Sequence, residues 1–293
     1  MSARSANLQG ILWMVAAMAA FAVEDALIKR AAREMPIGEV LIVFGLGGAL
    51  AFLVLAYRDA AMLLRLQSLS RLMLVRMVFE LVGRLFYFLA VALTPLSAAT
   101  AILQATPVLV VLGAGLYFGE RVGWRRWLAV IAGLIGVLIV LRPSAADFSA
   151  LSMLTVVGMI GFAGRDLASR AAPPSLGARH LGFYGFLTVA LAGMLYAAWE
   201  GRAFVQPNGI AAACLAGAVV VGVFAYASLM KAMRSGDVAT VTPFRYTRLL
   251  FGIGLGVVLF GERIDAPMVI GCAVIVASGL LIAWQGRVTV RQR

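Results

Sequence analysis

Ten runs of mostly apolar residues, joined by connections too short to hold a folded domain, leave this chain few possible folds. The runs cover roughly 8–28, 37–57, 72–92, 96–118, 124–141, 149–169, 179–199, 208–230, 237–260 and 266–285. Each is close to the ~20 residues that carry an α-helix across a hydrocarbon layer. With no water in that layer, a span satisfies its backbone groups within itself, and the helix does so for a single segment. The expected fold class is therefore an all-α integral membrane protein of ten transmembrane helices. The third and sixth runs are the weakest members, because they carry charge.

The composition fits that class. Of 293 residues, 63% are hydrophobic and 13% charged, against about 45–50% and 25% in soluble domains. The formal net charge of +12 does not point to nucleic acid, because the basic residues are scattered between apolar spans as juxtamembrane anchors are. The first run is too long for a signal-peptide core, lacks a cleavage site, and is expected to remain as a membrane helix. Cys214 and Cys272 both fall within apolar runs, where two thiols make neither a disulfide framework nor a metal site. No cofactor and no metal is expected. The longest connection, 58–71, reads RDAAMLLRLQSLSR and suits a basic amphipathic segment at the interface.

Lys and Arg asymmetry gives the orientation. One side collects Arg58, Arg65, Arg71 and Arg76, then Arg121, Arg125 and Arg126, then Arg165, Arg170 and Arg179, and both termini. The other side holds only Lys29, Arg30, Arg33, Arg142, Arg202 and Arg263. The excess of positive charge places both termini in the cytoplasm, with the first connection as a local exception. A multi-pass protein of the bacterial inner membrane is expected.

The chain also repeats itself. Met18, Phe21, Ala22 and Asp25 recur as Met159, Phe162, Ala163 and Asp166, at an offset of 141 residues. LYFGERV at 116–122 recurs as VLFGERI at 258–264, at an offset of 142. The repeat unit is five spans, and an odd number makes the second copy enter from the opposite face. The two units are 1–142 and 148–286. Inverted repeats of this kind belong to secondary transporters, with the substrate site near the midplane.

Charge inside the spans marks candidate site residues. Arg245 and Arg248 lie in the apolar stretch VTPFRYTRLLFGIGLGVVLFGER on one helix face. Each intramembrane arginine costs about 2.5–3.5 kcal/mol on insertion scales, so it is expected at a cavity or a partner. Gly252 and Gly256 are four apart and invite a neighbouring helix. In the third run Glu80, Arg84 and Tyr87 share a face, with Glu80 placed to pair with Arg84. Gln104 and Pro107 bring polarity and a bend to the fourth run, and Pro243 does so in the ninth. Tyr226 and Tyr246 lie away from the span ends, so their hydroxyls need partners.

A zwitterion suits these groups. Its carboxylate would meet Arg245 or Arg248; its ammonium would meet Glu80, Tyr87 or Phe244. Met18, Phe21, Met159 and Phe162 are symmetric candidates for the apolar lining. Glu24 and Asp25 in the first repeat, and Arg165 and Asp166 in the second, are candidate gates with Pro107 and Pro243; Asp25 is also spaced to pair with Lys29. The two FGER stretches read as helix-end turns with their charged pair at the interface. No phosphate loop, HExxH or GxSxG occurs, which argues against ATP-driven transport and against an embedded hydrolase.

The five-plus-five spans, the paired FGER ends and TPFRYTRLLFGIGLGVVLFGERIDAPMVIGCAVIVASGL resemble the EamA-type branch of the drug/metabolite transporter superfamily. Within it the chain is similar to the bacterial YddG-type exporters of aromatic and neutral amino acids. The resemblance implies a basket of ten helices in which spans 1, 3, 4, 6, 8 and 9 carry the cavity and spans five and ten pack peripherally. It implies export of amino acids or related small metabolites by alternating access. Multidrug or organic-cation efflux is the alternative transport reading, and a non-transporting membrane scaffold is the alternative of another class. The expected partners are a small-molecule substrate and the lipid bilayer, with no nucleic acid and no catalytic residue. The internal repeats supply both halves, so a monomer is expected.

Overall fold

A computed structural model describes residues 3–55, 71–117, 123–141, 150–171, 178–235 and 238–291. The connection at 58–70, the first FGER motif at 118–121, and Arg142 lie outside the described residues. Among the described residues the regular structure is helical throughout.

The helices are α1 (Ala3–Ala31), α2 (Ile37–Leu55), α3 (Arg71–Leu93), α4 (Leu96–Leu103), α5 (Thr106–Tyr117), α6 (Trp124–Leu141), α7 (Met153–Ala171), α8 (Ala178–Glu200), α9 (Gly209–Ser235), α10 (Val238–Val241), α11 (Thr247–Phe260) and α12 (Ala266–Arg291). The fourth span is α4 followed by α5. The ninth is α10, a 3₁₀ turn over Thr242–Tyr246, and α11. Ten helical segments thus stand where the apolar runs predict them. Seven are long and apolar enough to cross a membrane; Trp127–Leu141 and Ala266–Ile282 are apolar but shorter. The tenth, α3, is long enough but carries Arg71, Arg76, Glu80 and Arg84.

Prolines set the two breaks. Pro107 cannot donate to the Leu103 carbonyl one turn back, and the Thr106 hydroxyl takes that carbonyl at 2.5 Å. In the ninth span Pro243 opens the 3₁₀ turn, and Thr247 returns its hydroxyl to the Phe244 carbonyl at 2.7 Å as α11 begins.

Packing joins the two halves rather than each half to itself. Helix α1 lies along α9, α2 along α8, α3 along α7, α6 along α12, and α4 against α11. Small residues allow the close approaches. At Gly161 of α7 an added Cβ would stand 2.4 Å from the Gly83 backbone nitrogen of α3. At Gly252 it would meet the Thr100 side chain of α4 at 2.6 Å, so the Gly252 face does receive a neighbouring helix. Outward, large apolar side chains such as Leu12, Leu50, Val78, Val220, Leu250 and Val258 are exposed, as a lipid-facing surface requires.

One pairing expected from spacing is different in the fold. Lys29 does not pair with Asp25: its ammonium donates to the Val91 carbonyl at 3.0 Å and to the Thr94 carbonyl at the end of α3, where a cation satisfies orphan carbonyls. The second FGER motif does stop its helix, with Gly261 at φ 65° in the left-handed region. Its glutamate also reaches a neighbouring helix end. Glu262 accepts from the Leu96 amide at 2.6 Å, the Ser97 amide at 2.9 Å and the Ser97 hydroxyl at 2.6 Å. It supplies the N-terminal cap of α4 that Pro95 cannot.

Candidate substrate cavity

The broken spans meet α1, α3, α7, α9 and α12 around a central cavity of about 330 Å³. From α1 come Met18, Phe21, Glu24 and Asp25; from α3, Arg84 and Tyr87; from α4 and α5, Gln104 and Pro107. From α7 come Phe162, Arg165 and Asp166, from α9 Tyr226, and from the ninth span Pro243, Arg245, Tyr246 and Arg248. Sequence positions up to 230 residues apart thus converge. Glu80, Phe244 and Met159 are not on the wall: Glu80 and Met159 are buried behind it, and Phe244 packs against the cluster of Met14, Ala17 and Val241. The tenth span is not wholly peripheral, since Gly279 and Ile282 of α12 border the cavity. The reason is Tyr246, whose hydroxyl lies where a Cβ on Gly279 would be.

Two groups of charges stand at and behind the wall of this space. In the first, Asp25 Oδ2 accepts from Arg248 Nη2 at 2.6 Å and from the Tyr87 hydroxyl at 2.8 Å. Arg248 Nη2 also donates to the Tyr87 oxygen at 3.2 Å, closing a triangle. The guanidinium lies over the Phe21 ring at 5.2 Å from its centroid. Charge-assisted bonds of this kind are the strong ones, and here they hold α1, α3 and α11 together.

The second group centres on Glu80. Arg76 approaches it at 3.0 Å, Arg165 at 3.7 Å and Arg84 at 3.9 Å. The expected Glu80–Arg84 contact exists, but Arg76 is the nearer partner. Arg84 is equally 3.9 Å from Glu24, so it stands between two carboxylates. Arg165 donates to Asp166 Oδ1 from Nε at 3.0 Å and from Nη2 at 2.8 Å, and lies over Phe162 at 4.8 Å. Phe21 and Phe162, 141 residues apart, therefore each lie beneath an arginine.

Sequence reasoning missed Arg76, which it assigned to the membrane flank; its side chain is 7% exposed. The signal was present, because Arg76 and Glu80 are four apart on α3. It also missed Glu262 as a cap, for which no local signal exists: its partners are 165 and 166 residues away.

Two stretches of the chain, residues 8–142 and 149–284, each match the model of the EamA-like transporter family. The riboflavin transporter of Vibrio cholerae serotype O1 is 27% identical over 299 residues, covering 100% of this chain and 99% of that protein. The pseudopaline exporter CntI of Pseudomonas aeruginosa is 29% identical over 282 residues, covering 94% of this chain and 95% of the other. A solved crystal structure superposes with a TM-score of 0.61 at 20% identity, over 98% of this chain and 99% of that one, and so shares the fold. The family match extends over nearly all ten spans and the relatives are named for transport: the chain belongs to the EamA-like transporter family and is a multi-pass membrane transport protein, not an enzyme.

Proposed function

We propose that this chain is a secondary carrier that exports amino acids or related small metabolites by alternating access. The observation that carries the reading is the central cavity, walled by both halves and lined by buried charge, as a carrier's substrate site between repeats would be. The carrier works as two inverted repeats, 1–142 and 148–286. Two features support that division. The family matches twice, once in each half. The packing of spans one on eight, three on six, two on seven, four on nine and five on ten is unchanged when the halves are exchanged. It functions as a monomer in the bacterial inner membrane with both termini cytoplasmic, the side favoured by the basic connections.

Counterflow of labelled threonine, methionine and phenylalanine into proteoliposomes tests this. Exchange that requires the protein and the matching internal amino acid is the expected result. Flux of other metabolites with none of the three would remove the amino-acid assignment and leave the carrier.

A further inference from the structure

We propose that the transported solute carries a carboxylate, and that this carboxylate docks on Arg245. The inference rests on the transport reading above and narrows its substrate class.

It follows from matching the charges of the wall. Arg248 has Asp25 at 2.6 Å and Arg165 has Asp166 at 2.8 Å. Arg84 has Glu24 and Glu80, each at 3.9 Å. Every carboxylate bordering the cavity is thereby assigned to a guanidinium. Arg245 is left over. Among the described residues no carboxylate lies within 4.0 Å of it, and its guanidinium makes no hydrogen bond to the protein, although it borders the cavity. A guanidinium inside a membrane span with no carboxylate in direct contact is costly, and an anionic solute supplies the missing contact. Arg binds a carboxylate as a two-pronged fork, which fixes orientation as well as charge.

The backbone beneath Arg245 is held for that purpose. Gln104 of the fourth span donates from Nε2 to the Arg245 carbonyl at 2.8 Å, tying one broken span to the other. The carboxylate acting most strongly on this place is Asp166, ahead of the opposing charges of Arg165 and Arg248, but its Oδ1 is already held by Arg165 Nε and Nη2. The groups that would take an ammonium are occupied. Glu80 is enclosed by three guanidinia. The Oε2 of Glu24, which has no hydrogen bond, is turned into the notch at Gly222, where even an added Cβ would stand only 3.0 Å away. A solute with a carboxylate and no need of a strong ammonium site therefore fits better than an organic cation.

Matched pairs of equal shape test the proposal: N-acetylphenylalanine with its amide, benzoate with benzamide, and nicotinate with nicotinamide. Affinity for the purified full-length protein in nanodiscs is measured for wild type, Arg245→Gln and Arg245→Lys, with tetraphenylphosphonium as the cationic probe. The expected result is an acid bound at least tenfold more tightly than its amide in one or more pairs. Arg245→Gln loses that preference and Arg245→Lys keeps some of it. Equal binding of acids and amides, binding of none of the six, or an acid preference that survives in Arg245→Gln overturns it, as does tighter binding of tetraphenylphosphonium than of every acid. The comparison within wild type stands even where a variant fails to fold. Flux in liposomes separates the two readings. Acids that bind but do not move would defeat the transport reading and leave the anion site. Amides moved as well as their acids, by wild type and Arg245→Gln alike, would leave transport and defeat the anion site.

Discussion

Asp25 and Arg248 are 223 residues apart in sequence and 2.6 Å apart in the fold. The bond joins the first span to the ninth, and Tyr87 of the third span completes it. Neither charge is stable at this depth without the other. Removing one partner of a buried pair costs about 3–5 kcal/mol, because the survivor is stranded.

Asp25→Ala and Arg248→Ala are each expected to lower the thermal midpoint in detergent severely. The double variant Asp25→Leu/Arg248→Met should recover most of the loss, since an apolar pair strands nothing. A double-mutant cycle on thermal unfolding checks this: additive losses would mean that the two residues do not act as a pair.

Glu262→Ala is expected to destabilise by about 2 kcal/mol, the range for bonds to a charged group. Hydrogen exchange at the Leu96 and Ser97 amides should rise with it. Gly256→Ala should reproduce some of the effect, because the new Cβ would sit 2.5 Å from Glu262 Oε2 and push the carboxylate off its amides.

Gly161→Ala and Gly254→Ala should have opposite signs. The first drives a methyl to 2.4 Å from the Gly83 nitrogen, an overpacking worth about 1–3 kcal/mol. The second adds a methyl into open space, with nothing within 4 Å, and should gain about 0.5–1 kcal/mol from helix entropy. Thermal midpoints of the two variants beside wild type decide it.

In the turn after α1, the Arg30 hydrogen bond and charge hold the Glu34 carboxyl below its usual 4.5, with a smaller contribution from Asn208. A depressed folded value means that the contact is fully present above the ordinary glutamate range. It is lost as pH falls through the lowered one. The protection of amides in the 201–208 segment should fall on acidification below that range, and Glu34→Gln should remove the share due to Glu34, leaving that of Glu39, which accepts from the Val205 amide at 3.0 Å.

The spans were readable because each is a local property, about 20 apolar residues in a row. Arg84, Tyr87, Arg245 and Arg248 could be singled out because charge and hydroxyl groups inside such a run are costly wherever they end up. Apart from the Glu80–Arg84 contact, their partners were not readable. Spacing offered Asp25 the nearby Lys29, yet α1 carries Lys29 past Asp25 to the carbonyls of Val91 and Thr94. Asp25 instead faces a helix that the chain reaches only in its second half. Likewise nothing around Arg245 in sequence distinguishes it from Arg248; only the placement of carboxylates from other helices leaves one paired and the other open.

The joint at Thr94 and Pro95 is gripped from both sides, by the Lys29 ammonium on the carbonyls before it and by the Glu262 carboxylate on the amides after it. A corner clasped between a cation and an anion from opposite ends of the chain is a latch with two keepers. The ends of α1, α3, α4 and α11 at this face cannot separate singly. Whatever unfastens either keeper exposes peptide groups that the other cannot shield, so this face opens as a unit or stays shut.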